Sequence, residues 1–418
     1  MSDSAATGRN YTRPHRPRPV AFANALGRGF ERIGLRPKLS EASLVAAARK
    51  STGFHHLGDD DWREPLLRTL DAVEREAKLT PIGRFGVRTV LIRSLAQRLR
   101  IEALRDLQPE IFRLPIEAPV FIVGLQRTGT TVLQRLLAQH PKLRALKSFE
   151  AANPAPFIER GPLPDGAEDP RLGVARMAEN SIRYLAPDFF ASHPVLAEGE
   201  EEDSLMFDPC FRTTTSEAVA NIPSFTAWLE QSDPTILYRR YREVMQVLLW
   251  QRPGRWLGKT PFHLEYLATL LETFPDARII HTHRDPVETV ASLCSMLSHA
   301  RGFMSDDVDP AEVGQQWLAK AGHMVDCSLA ARASADESRF IDVYYHDTVE
   351  DPWKQLRRVC EWIEAPVDDP IEAEMRRFLS QNPQHKFGRH TYQLADFGLS
   401  EEQVRERFAP YRARYGFS

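Results

Sequence analysis

Three observations make the sequence an α/β chain, with a doubly wound central parallel sheet flanked by helices. Residues 118–123, Ala-Pro-Val-Phe-Ile-Val, form a short, nearly all-apolar, β-branched run that stops at Gly124, the texture of a strand buried on both faces of a parallel sheet. A helical pattern over residues 130–138 follows it directly. The same order, strand then turn then helix, returns at residues 278–283 and 339–345, and repeated alternation of that kind builds parallel sheets.

The remaining elements follow in chain order. Residues 1–20 are rich in Pro, Arg and polar side chains without periodicity, so a disordered arm is expected. Residues 21–115 read as a helical extension: Leu66, Leu67, Leu70 and Val73 follow the acidic Asp59-Asp60-Asp61, and Pro81 opens a second run through Val90, Leu91, Leu95 and Leu99. The α/β core spans 116–418. It carries a helical insertion at about 151–250, which opens with Pro154, Pro156, Pro162 and Pro164 and closes with a helical stretch at 236–250. Trp256-Leu257-Gly258 reads as a further short strand.

With 54 Lys and Arg against 57 Asp and Glu, the net charge of −3 supplies no general basic field for nucleic acid, so an anionic ligand must be held locally. Apolar runs fall short of the roughly 18–20 residues of a membrane span, and the first residues carry no apolar signal core. A cytoplasmic chain without a transmembrane segment is the expectation. Cys210, Cys294, Cys327 and Cys360 show no C-x-x-C spacing, which points to reduced thiols. His281 and His283 share one side of a strand, but spacing supplies no third ligand, so no metal is assigned.

Chemistry concentrates in three segments. Residues 124–131, Gly-Leu-Gln-Arg-Thr-Gly-Thr-Thr, fit G-x-x-x-x-G-x-[ST] between strand and helix, where backbone N–H groups and a helix N-terminus bind anions. Thr130 stands where a nucleotide kinase carries its lysine, and the cation is Arg127 inside the loop. A strand ending in Arg284-Asp285-Pro286 is followed by Ser292, an Arg fork and a hydroxyl suited to a second phosphate. Gly258-Lys259-Thr260-Pro261-Phe262-His263 closes the possible third strand.

In that order and spacing these segments resemble PAPS-dependent sulfotransferases, closest to the bacterial group and more distantly to the tyrosylprotein and heparan sulfate enzymes; PAPS is 3′-phosphoadenosine 5′-phosphosulfate. The resemblance implies a P-loop-containing sulfotransferase-like fold, PAPS as donor, PAP as product and no required metal. It gives the 5′-phosphosulfate to Arg127, Thr128, Gly129, Thr130 and Thr131, and the 3′-phosphate to Arg284 and Ser292. Lys259 and Arg127 become the cations that meet charge building on the leaving oxygen. Glu150, 23 residues after Arg127, stands where related enzymes place a glutamate base, with His263 as its rival. Lys386 and Arg389 fall where many members bring a basic loop over the nucleotide. The acceptor is expected to be a small molecule, lipid or glycan, bound by the insertion, whose Phe207, Phe211, Phe225, Trp228 and Tyr241 read as pocket wall or as packing. The acidic run at 198–203 reads as a solvated stretch or helix start, although bacterial relatives carry a similar segment in the insertion. Two other readings remain open here: a P-loop kinase or NTPase with an unusual loop, and a catalytically inactive PAP-binding protein.

Overall fold

The computed structural model describes residues 11–161, 163–164, 166–382 and 392–417. Strands β1 (Val120–Val123), β2 (Leu143–Ala145), β3 (Arg255–Lys259), β4 (Arg278–His283) and β5 (Phe340–Tyr344) form one parallel sheet in the order β2-β3-β1-β4-β5. The central strand β1 therefore lies between β3 and β4, and the chain reverses its direction of travel across the sheet there. In open α/β sheets the crevice at the carboxyl ends of the strands beside such a switch is where ligands bind. Those ends carry Gly124, Lys259 and Arg284.

Alternation along the strands covers both faces. Val120, Ile122, Leu257, Ile280 and Ile341 pack with Leu133, Leu136, Leu356 and Val359 on one face, whereas Phe121, Val123, Trp256, Ile279 and Phe340 join a second core on the other. β2 has no counterpart among the expected strands, because three residues at a sheet edge are too few to show a period.

The extension holds α1 (Arg18–Arg32), α2 (Glu41–Thr52), α3 (Arg63–Arg75) and α4 (Pro81–Leu107). Thr80 caps α4 by accepting the Gly83 N–H at 3.0 Å, and Pro81 occupies the first turn, where its missing N–H costs nothing. Gly83 admits the Met304 carbonyl to a position only 2.0 Å from where a Cβ would stand. Leu44, Leu66, Leu70, Leu95 and Leu99 form a third core with Phe211, Ile222, Phe225 and Leu229 of the insertion. Extension and insertion thus share a hydrophobic interior, and Asp61, clasped by Arg98 at 2.6 Å and Arg240 at 2.8 Å, ties them by ion pairs.

Between β1 and β3 run α5 (Thr130–Leu137), α6 (Ser148–Ala152), α7 (Pro170–Leu185), α8 (Pro187–Ser192), α9 (Thr215–Val219), α10 (Pro223–Glu230) and α11 (Thr235–Gln251). α12 (Leu267–Thr273) leads to β4, and α13 (Pro286–Met304) with α14 (Pro310–Ser334) leads to β5. The C-terminal part has α15 (Tyr345–Glu350), α16 (Pro352–Trp362), α17 (Asp369–Gln381), α18 (Glu401–Arg407) and α19 (Ala409–Tyr415). Among the described residues no helix is long and apolar enough to cross a membrane.

The expected disordered arm over residues 1–20 is corrected for its described part. Tyr11 is buried, its hydroxyl donating to Ser295 Oγ at 3.1 Å and its ring packing on Phe397 at 4.9 Å. Arg16 donates to the carbonyls of Gly302 at 2.6 Å and Ser305 at 3.0 Å, satisfying groups that the end of α13 leaves unpaired. One aromatic ring and one guanidinium anchor a segment whose average composition reads as solvated.

Candidate active site

The loop after β1 owes its shape to two glycines. Gly124 lies at φ +150° against β4, where a Cβ would sit 2.2 Å from Thr282 Oγ1; Gly129 lies at φ +92° and caps α5. Thr128 donates to the Leu125 carbonyl at 2.7 Å and pairs with Thr282 Oγ1 at 2.7 Å, so its hydroxyl braces the loop. The first N–H groups of α5, at Thr130 and Thr131, open the helix over this turn, an arrangement that favours an anion. Arg127 itself takes a left-handed conformation at φ +72°.

Segments far apart in sequence meet at this loop. Arg127 Nε donates to Ser292 Oγ at 3.1 Å and its Nη1 to the Ser192 carbonyl at 3.1 Å. Arg284 Nη1 reaches the Arg127 carbonyl at 3.4 Å, while its Nε pairs with Glu288 at 2.8 Å and its guanidinium lies over the Tyr345 ring at 4.1 Å. Lys259, buried at the end of β3, places Nζ 3.5 Å from Thr131 Oγ1 and 2.7 Å from Glu202 Oε1. Arg127, Arg284, Ser292 and Lys259 are thereby gathered around one helix N-terminus.

Comparison with known proteins agrees with this arrangement. The pattern described as the sulfotransferase family matches residues 119–369. The chain belongs to the sulfotransferase family. Its fold superposes on sulfotransferase STF9 from Mycobacterium avium with a TM-score of 0.80 at 29% identity, covering 91% of this chain and 97% of that one. Sulfotransferase STF1 from Mycobacterium tuberculosis H37Rv gives 0.76 at 31% identity, covering 89% and 98%. The chain is also 26% identical over 327 residues to an omega-hydroxy-beta-dihydromenaquinone-9 sulfotransferase of Mycobacterium bovis, 72% of this chain and 76% of that protein.

Within this sulfotransferase two expected bases are otherwise engaged. Glu150 is buried, with Oε1 accepting from Arg144 Nη2 at 2.9 Å and Oε2 from the Lys147 N–H at 3.0 Å, where it completes the cap of α6. Neither oxygen touches the phosphate loop. His263 is fully enclosed: Tyr238 Oη lies 2.7 Å from Nδ1, Asp203 Oδ2 lies 3.5 Å from Nε2, and Phe121 packs edge-on to the ring. In this structure His263 presents no free face and links Tyr238 of α11 to Asp203. Phe207, Phe211, Phe225 and Tyr241 are likewise buried, with Trp228 packed beside them. Lys386 and Arg389 lie outside the described residues.

The acidic run, read as a solvated stretch or a helix start, leads into a helical turn at Asp203–Cys210 and comes up against Lys259. Ser148 and Leu146 hold it by backbone bonds, Ser148 N–H to the Gly199 carbonyl at 2.9 Å and Glu201 N–H to the Leu146 carbonyl at 3.0 Å. Asp203 is buried on Tyr241 Oη and fits beneath β3 because Gly258 has no side chain; a Cβ there would lie 2.2 Å from Asp203 Oδ2. Glu202 is thereby delivered to Lys259. Burial opposes the charge of Glu201, but His193, the Glu202 N–H and Lys259 outweigh it and hold its carboxyl at about 2. Such a run betrays itself in sequence only through its neighbours in space, 50 residues or more along the chain.

His281 and His283 do gain a third group, Asp342 of β5, which spacing alone could not show. Arg332 Nη1 stands among them, 2.6 Å from Asp342 Oδ1 and 3.3 Å from His281 Nδ1, while His283 binds Asp342 at 2.8 Å and Tyr411 at 2.9 Å. Burial, followed by the charges of His283 and Arg332, pushes His281 well below the usual range, so it stays neutral. This network pins α19 to the strand ends, and Arg412 of α19 pairs with Asp285 beside Arg284.

Proposed function

We propose that the chain moves the sulfuryl group of PAPS to the hydroxyl of an apolar, lipid-class acceptor. The observation that carries the donor is the convergence of Arg127, Lys259, Arg284 and Ser292 on the α5 N-terminus, two anion sites where a phosphosulfate and a 3′-phosphate can be held by one nucleotide. The lipid class rests on similarity to the mycobacterial enzyme whose name gives a hydroxylated menaquinone as its acceptor.

PAPS supplies an activated sulfuryl group whose bridging S–O bond breaks as the acceptor oxygen bonds to sulfur. The α5 N–H groups, Arg127 and Lys259 hold the donor and meet the negative charge left on its 5′-phosphate. Glu202 is the carboxylate placed to take the acceptor proton. Its partner Lys259 turns to the donor, which releases the carboxylate for that proton. Glu150 keeps the separate task of fixing β2 and α6 through Arg144.

Titration calorimetry with PAP, with and without Arg284→Ala, tests the donor reading. Loss of a charged clamp lowers PAP affinity about 10- to 100-fold. Tighter binding of ATP-Mg²⁺ than of PAP would replace this reading with a kinase. Retained PAP binding without transfer from labelled PAPS to hydroxylated isoprenoids would replace it with a binding protein.

A further inference from the structure

We infer that α1 is a membrane-surface helix that docks this chain on an anionic lipid bilayer, lying flat in the headgroup region. The inference does not rest on the identity of the donor.

Val20, Asn24, Gly27 and Glu31 recur at helical spacing on the inward side of α1. Asn24 Oδ1 accepts the Ile82 N–H at 3.0 Å, and Gly27 meets Pro81 so closely that a Cβ would stand 2.5 Å from Pro81 Cβ. Phe22, Leu26, Phe30 and Ile33 occupy the opposite side, 71%, 51%, 46% and 69% exposed. A packed helix ordinarily turns its apolar stripe inward; here the largest apolar groups point away from the protein.

Charge decides what covers them. Residues 11–38 carry seven Arg and Lys against Glu31, a net +6 in a chain whose total is −3. Among the described residues Arg13, Arg18 and Arg32 pair with no carboxylate. A second copy of the chain would bring two such basic faces together, whereas an anionic bilayer accepts both the phenyl rings and the guanidinium groups. Fifteen residues are too short to span and suit an in-plane helix.

Shallow surface dimples, each with room for little more than a water molecule, lie between the arm, α8 and α13, with Tyr11, Arg16, Phe189 and Phe303 in their wall, and beside Val20 and Asn24 of α1.

Flotation of the full chain with phosphatidylcholine vesicles, with and without phosphatidylglycerol, tests the inference. The wild type is expected to float with the anionic vesicles and be released by salt. Phe22→Ser/Phe30→Ser and Arg18→Gln/Arg32→Gln are each expected to bind about tenfold more weakly or worse. These positions are exposed, so unchanged thermal unfolding and PAP affinity identify a surface effect. Flotation unchanged in both variants, or equal binding to neutral vesicles, overturns the inference. So does a solution dimer that becomes monomeric in Phe22→Ser/Phe30→Ser without vesicle binding, which would assign the stripe to a second copy.

Discussion

The donor side and the acceptor side of this site are built by different means. On the proposed donor side, the six residues between β1 and α5 and the first turn of α5 present backbone N–H groups, and their geometry follows from strand, glycine turn and helix start. On the acceptor side, Glu202 arrives beside Lys259 only because residues 199–203 bond to residues 146–148 and Asp203 slots beneath Gly258. An anion site made by backbone is carried in local sequence order. The proton-handling site proposed at Glu202, made by side chains, depends on packing between distant segments.

Four substitutions sharpen or break that contrast. Glu202→Gln is expected to lower transfer from PAPS by up to about 10⁴-fold with PAP affinity nearly unchanged, as read by single-turnover kinetics and calorimetry. If transfer survives, the acceptor side is not built around this carboxylate. Lys259→Ala is expected to cost about 10²- to 10³-fold in kcat, the size of a lost charge-stabilising donor. Glu150→Gln is expected to act on stability instead. It leaves the buried Arg144, which burial already draws down to about 10, without its partner, at a cost of about 4 kcal/mol in denaturant unfolding. Full stability with abolished transfer would return the role of base to Glu150.

The smallest effect concerns Glu201 and is a matter of pH. Its folded carboxyl, near 2, lies below the ordinary 4.5, so its stabilisation is present above pH 4.5 and is lost as pH falls toward 2. The stability gap between wild type and Glu201→Gln should be on the order of 3 kcal/mol at neutral pH and close progressively in that acidic window. A gap that does not change with pH would show that Glu201 acts through packing.

Legibility in the sequence divides along the same line. β1 announces itself by an apolar run buried on both faces, and β3, β4 and β5 by short apolar stretches followed by turn signals, whereas β2 is too short to carry a pattern. Arg127 and Arg284 stand at strand–helix junctions and Ser292 stands in the second turn of α13, where spacing constrains position, and the structure brings them together. Glu150 and His263 stand at suggestive spacings too, but spacing does not say which way a side chain faces; Arg144 and Tyr238 decide that. The acidic run leaves two readings, solvated stretch or helix start; its short helical turn fits the second, and only Lys259, His193 and Tyr241 around it show that it is not solvated.

The clasp of the arm on α13 also orders events during synthesis. Tyr11 finds Ser295 across 284 residues and Arg16 finds Gly302 across 286, so at ribosomal speeds this segment waits roughly 15 to 60 s for those partners to be made. Through that interval the apolar stripe of α1 adjoins a segment whose clasp on α13 has yet to form. Closure of the arm on α13 therefore follows synthesis of the phosphate loop, β3 and β4, so those parts of the site are made before the clasp can form.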